Sequence, residues 1–203
     1  MNRWDRGLAV PLMIVIALAS SVGLSVVSAN ESRIQDFAVY VPQAPVDCEL
    51  DDPWRAGRWR LKRGGAIPSG GCLSLSYTLN AESYALLLYE SPSGEWVRFS
   101  PEQCAGERFP VHAAGEHWYP RKLDQRERLL LLDETPGFER FHLLVFSAEQ
   151  VARGAMDDWL ALPSLEKQCS TAGSSVQNSN QFNARLRSGS DDIDRATLEI
   201  EHY

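Results

Sequence analysis

The stretch Cys72-Leu73-Ser74-Leu75-Ser76-Tyr77-Thr78-Leu79 decides the fold class of this chain. Leu73, Leu75, Tyr77 and Leu79 alternate with Ser74, Ser76 and Thr78, which is the period of a strand with one apolar and one wet face. Asn80-Ala81 offers a turn. The continuous apolar run from Tyr84 to Tyr89 then suits a strand buried on both faces. Pro92-Ser93-Gly94 is a further turn signal, followed by Trp96, Val97 and Phe99, so residues 83–100 read as a hairpin.

Working outward, residues 101–122 carry Pro101, Gly106, Pro110, Gly115 and Pro120 and read as irregular. Leu129 to Leu132 and Phe141 to Phe146 read as the arms of a second hairpin around Thr135-Pro136-Gly137. Ser147 and Gln150 have capping-box spacing, and Val151, Ala155 and Trp159 share one helical face, so a helix is expected at 148–162, stopped by Pro163. Residues 170–190, rich in Ser, Asn, Gln and Gly, read as a flexible loop. Leu198, Ile200 and His202 alternate with acidic residues as in a last strand. Towards the N-terminus, Phe37, Val39 and Val41 suggest one short strand, and Arg58 to Lys62 alternates with Trp59 and Leu61 on one face. The expected fold is mainly β: a single antiparallel β-sandwich or partly open barrel with one short helix near 148–162. The expected organisation is a signal peptide (1–29), an N-terminal extension with one or two short strands (30–70), a β-rich core (71–162), and a flexible loop with a last strand (163–203).

The first 29 residues point to a compartment. Arg3 and Arg6 precede an uncharged apolar run from Leu8 to Val27, which ends in Val27-Ser28-Ala29. Small residues at the cleavage positions make this an export signal, with the mature chain starting at Asn30. The alternative is a retained membrane anchor, since the run spans 20 residues; Ser20, Ser21, Gly23, Ser25 and Ser28 dilute it. After cleavage no membrane span is expected. Removing Arg3, Asp5 and Arg6 leaves 18 basic and 26 acidic residues, a net charge of −8. Such a surface argues against nucleic-acid binding, which needs cations to neutralise phosphates. All four cysteines, Cys48, Cys72, Cys104 and Cys169, follow the signal. An even count in an oxidising compartment suggests two disulfides, with three pairings open.

Residues 71–147 resemble a bacterial family known as domain of unknown function 4384. Leu73-Ser74-Leu75-Ser76-Tyr77 is similar to its opening strand. Tyr84 to Tyr89 with Ser93-Gly94 and the strand to Phe99 is similar to its central hairpin. Pro136-Gly137-Phe138-Glu139-Arg140-Phe141 is similar to its closing Pro-Gly-x-Glu strand. The family's hairpin tends to end in a Leu-Phe-Pro-Asn-like turn, whereas this chain has Arg98-Phe99-Ser100-Pro101-Glu102. The resemblance implies a compact β-rich module of the kind found beside peptidase or kinase domains, and it carries over no catalytic residues.

Motifs for catalysis are sparse. His112 and His117 are five apart rather than i and i+4, with Gly115, Pro110 and Pro120 opposing a helix, so they do not form a zinc-helix pair. No Gly-x-Ser-x-Gly elbow and no phosphate-binding loop occurs, and no cofactor is expected. The sharpest cluster is Trp54-Arg55-Ala56-Gly57-Arg58-Trp59-Arg60-Leu61-Lys62-Arg63, with five basic residues in nine positions of an acidic chain. Arginine forks onto carboxylates and phosphates and stacks on aromatic rings, so Trp54, Arg55, Arg58, Arg60, Lys62 and Arg63 form a candidate strip for an anionic partner. The plainer alternative is a strand with Trp59 and Leu61 inside and solvated cations outside, paired with Asp191, Asp192 and Asp194 of the same chain. The expected function is an exported non-catalytic binding or assembly module of the cell envelope, periplasmic or secreted. Its partner would be an envelope protein or an anionic polymer. The alternative is a small periplasmic or secreted hydrolase with a site assembled from distant residues.

Overall fold

Alternating and continuous apolar runs at the predicted places become strands of two stacked sheets. The computed structural model describes residues 32–43, 48, 57–101, 108–120, 129–132, 135–160, 162, 164, 184, 186 and 193–203. Among them the strands are β1 (Ile34–Pro42), β2 (Arg58–Arg60), β3 (Ala66–Ile67), β4 (Cys72–Leu79), β5 (Tyr84–Glu90), β6 (Trp96–Ser100), β7 (Gly115–Tyr119), β8 (Leu130–Leu131), β9 (Gly137–Phe146) and β10 (Asp194–His202). Two short helices, α1 (Ala148–Ala152) and α2 (Asp157–Leu160), lie between β9 and β10. The first sheet has the order β2-β1-β4-β7, with β8 also on β4; the second has the order β3-β10-β9-β5-β6. Every pairing is antiparallel except β3 with β10. The fold is mainly β, and its two sheets are not closed into a barrel, as in a β-sandwich.

The main core lies between the sheets. Phe37, Val39, Leu73 and Leu75 belong to it from the first sheet, and Leu87, Phe141, Leu143 and Val145 from the second. Leu86, Leu88, Leu144 and Phe146, on the other face of β5 and β9, pack beneath Met156, Trp159 and Leu160 as a second core. Burial on both faces explains why β5 reads as an unbroken apolar run and why β9 ends in Leu143-Leu144-Val145-Phe146. The predicted hairpin at 83–100 is present as β5 and β6. The capping box holds, with the Gln150 N–H donating to Ser147 Oγ and the Ser147 N–H to Gln150 Oε1. The helix it starts is interrupted: Gly154 has φ +79°, and the chain turns between α1 and α2.

Several expectations need correction. The polar side of β4 is not wet, since Ser74 and Ser76 are 3% and 2% exposed. Tyr40 stands opposite Ser74 and Trp118 opposite Ser76 on flanking strands, and a Cys48–Cys72 disulfide sits at the head of β4. The second hairpin does not form, because Leu130 and Leu131 pair with β4, whereas β9 is already flanked by β5 and β10. Gly137 opens β9 instead of completing a turn. Its φ is +153°, and a Cβ there would stand 2.5 Å from Pro92, so the site demands glycine. The segment expected to be irregular contains β7, which pairs with β4. Trp59 is 60% exposed rather than inside, because β2 is an edge strand paired only with β1; Leu61 packs partly against the core. The 30–70 stretch contributes β1, which lies between β2 and β4. Cys104, Cys169 and most of 170–190 lie outside the described residues.

Candidate functional site

One side of the sandwich is held together at two places and open between them. At one place the Arg33 N–H and guanidinium both reach Asp194 Oδ2, at 3.0 and 3.2 Å, tying the start of β1 to the start of β10. At the other, residues 61–65 cross from the first sheet to the second. The Leu61 N–H donates to the Val39 carbonyl (2.8 Å) and the Glu201 N–H to the Gly65 carbonyl (3.2 Å). A cleft of about 660 Å³ lies alongside β1 and β10. Phe37, Val39, Leu61, Ala196, Leu198 and Ile200 give it an apolar lining, to which Arg60, Lys62 and Arg63 add cations and Glu199 one carboxylate.

The candidate strip is therefore divided. Arg60 and Arg58 stand on the outer face of the first sheet, opposite Tyr40 and Pro42. The Arg60 guanidinium bonds Asp36 Oδ1 at 2.6 Å, and this bond holds it more firmly charged than an ordinary arginine. The Arg58 guanidinium lies 4.1 Å over the Trp118 ring, which in turn packs on Tyr40 at 4.9 Å. Lys62 and Arg63 line the cleft and have no carboxylate partner among the described residues. Trp54 and Arg55 lie outside the described residues, as do Asp191 and Asp192, while Asp194 pairs with Arg33 rather than with the strip.

A second cluster, absent from the sequence analysis, sits on the outer face of the second sheet. Register places Glu90, Arg140 and Glu199 in one row across β5, β9 and β10, with Leu88, His142 and Thr197 in the next. Arg140 Nε bonds Glu199 Oε2 at 2.7 Å, and Arg140 Nη1 stands 3.5 Å from Glu90 Oε2. His142 Nδ1 is 3.0 Å from Thr197 Oγ1, and its Nε2 is 3.5 Å from Glu90 Oε2, an ion-pair distance rather than a hydrogen bond. Trp96 stacks on the imidazole at 4.7 Å. Burial pushes the His142 pKa below its ordinary value, against the opposing pull of Glu90. A pocket of about 440 Å³ opens here, lined by Glu90, Arg140, His142, Arg195 and Thr197 together with leucines. The residues come from three strands, far apart in the chain, so only the strand register assembles them.

Two further histidine sites complete the inventory. His112 and His117 do meet, with ring centroids 5.1 Å apart, but as packing around Tyr77. The Tyr77 hydroxyl lies 3.2 Å from His112 Nδ1, and His117 Nε2 donates to the Ala113 carbonyl at 2.8 Å. Among the described residues no three His, Cys, Asp or Glu side chains converge as a metal site. His202 Nδ1 lies 3.1 Å from Glu139 Oε1 in a pair with no exposed side-chain surface on either partner. Among the described residues no helix is long and apolar enough to cross a membrane. No family model matches the chain, and neither does any curated protein or solved structure.

Proposed function

We propose that this chain is an exported, non-catalytic binding or assembly module of the bacterial cell envelope, and that the cleft beside β1 and β10 takes an anionic partner. The observation that carries this reading is the placement of Lys62 and Arg63, which have no carboxylate partner among the described residues, at an apolar-lined cleft of about 660 Å³ in a chain of net charge −7; Arg60 is already paired with Asp36 and Glu199 with Arg140. Cations gathered against the sign of the whole molecule steer an anion to one place. The Cys48–Cys72 disulfide fits an oxidising compartment. The test is capture of fluorescent polyglutamate and polyphosphate by the wild type and by a Lys62→Glu/Arg63→Glu variant. Binding that falls with salt and is lost in the variant is expected; equal capture by both proteins defeats the reading. The intact mass of protein recovered from the native envelope should correspond to a chain starting at Asn30.

The outer-face cluster favours a second reading, a small hydrolase. Thr197, His142 and Glu90 follow the order hydroxyl, imidazole, carboxylate, with a neutral imidazole able to accept the Thr197 proton. Hydrolysis of p-nitrophenyl esters that disappears in Thr197→Val, with the fold intact, would support it. Equal rates in the two proteins would remove it.

A further inference from the structure

The cleft has a feature that an anion-binding patch does not need: its wall on the second sheet is an unpaired strand edge. The ladder between β10 and β9 runs without a break from Asp194 to His202. On its other side β10 meets only β3, at Glu201 and His202. The Glu201 N–H points to that side, where it bonds Gly65. Strand geometry repeats every two residues, so the N–H and C=O groups of Glu199 and Thr197 point the same way. Among the described residues no backbone group meets them there. Along these residues the side of β10 that β3 begins to cover faces the cleft, with Phe37 and Val39 of β1 on its far wall.

We propose, building on the anionic-partner reading, that the occupant is an extended peptide segment that adds to β10 as a further strand. Its alternate apolar side chains face Ala196, Leu198 and Phe37, and its acidic ones face Lys62 and Arg63. Three observations select this occupant. Open edge groups need hydrogen-bond partners once covered. A polypeptide backbone supplies them, whereas an acyl chain or a sugar ring laid in the cleft leaves them dry and unsatisfied at a cost. The cations complement acidic rather than basic side chains: Lys62 and Arg63 have no carboxylate of their own among the described residues, and Glu199, the carboxylate of the lining, is already bonded to Arg140. The edge of β10 is also the receptive one. On the facing sheet β1 is already paired with β2 at Tyr40, Val41 and Pro42, and Leu61 occupies the Val39 carbonyl. Beside β10 the ladder is regular and free of proline.

A pool of fluorescent capped peptides of about eight residues, alternating Glu with Val or Leu, is the probe, since that length covers the open edge with residues to spare. Three results are expected together. The pool binds the wild type, and the Lys62→Glu/Arg63→Glu variant binds at least about tenfold more weakly. N-methylation of every second peptide residue weakens binding at least about tenfold in one of its two registers and not in the other, because only one set of N–H groups faces β10. Amide exchange at Thr197 and Glu199 slows on binding. If both N-methylated registers bind as the parent does, or if neither amide is protected, strand addition is wrong. Salt-sensitive polyglutamate capture lost in the charge variant would then still uphold the anionic-partner reading. If neither the peptides nor polyglutamate bind, both proposals fall.

Discussion

Strand β9 carries a carboxylate–imidazole pair on each face, and the two differ in everything except chemistry. On the inner side Glu139 meets His202 at 3.1 Å with both side chains wholly buried. Among the described residues His202 Nε2 and Glu139 Oε2 have no further hydrogen-bond partner. On the outer side His142 stands 3.5 Å from Glu90, with both side chains 7% exposed. Here the imidazole reaches on to Thr197, Arg140 approaches the carboxylate, and a pocket opens over the group. The inner pair is a closed unit whose members serve only each other. The outer pair is one link in a chain that ends at solvent. A buried acid and base thus carry a functional implication only when a third group and an opening accompany them.

The largest expected effect comes from splitting the inner pair. Glu139→Ala strands His202 in the core and should lower stability by about 3–5 kcal/mol in urea unfolding, whereas replacing both residues with apolar ones of similar size should recover most of that loss. If the single and double variants are equally damaged, the pair is not the closed unit described. Splitting the outer pair should cost less: Glu90→Gln leaves Arg140 bonded to Glu199 and water close at hand, and about 1–2 kcal/mol is expected.

Acidity offers a sharper contrast. Burial lowers the His142 pKa below 6.5, so as pH falls the unfolded chain takes up that proton before the folded one does. The stabilisation is complete above about pH 6.5 and is lost as pH falls through the lowered folded value. Glu90 opposes the shift and Arg140 adds to it, so the measured slope reports all three groups. Urea midpoints between pH 7.5 and pH 5, taken for wild type and His142→Gln, should show the shallower decline in the variant. An unchanged slope would mean that His142 is not the buried neutral group. The smallest effect belongs to the surface. Arg60→Ala breaks an ion pair whose arginine side chain is 53% exposed, and a stability change below about 1 kcal/mol is expected.

The contrast also marks what was legible in the sequence. Strands β4, β5, β6, β9 and β10 and the Ser147 cap follow from periodicity and from residues a few positions apart, which are local signals. Strand β7 was hidden because Gly-Glu-His-Trp-Tyr at 115–119 lies among glycines and prolines and is held by β4, some forty residues earlier in the chain. Leu130 and Leu131 looked like an arm for β9 because they are near it in sequence, yet β9 has no free side for them. Of the candidate site, Arg60, Lys62 and Arg63 were legible as a charge cluster. The cleft they line was not, since its other wall arrives with β10. Glu90, His142 and Thr197 gave no signal, because nothing in a linear pattern shows which rungs of three strands align.

The contact between Arg33 and Asp194 joins residues 161 positions apart, and Ser69 bonds the carbonyl of Tyr203 across 134. Contacts of this span close large loops, so folding should be slow. A nascent chain that has emerged only as far as the helices presents β9 with one side unpaired, beside Phe141, Leu143 and Val145. That is the sort of surface on which other chains nucleate aggregates. Until Asp194–His202 arrives, the unfinished polypeptide keeps that side of β9 open, and stalled or prematurely terminated copies should be the first to aggregate or be degraded.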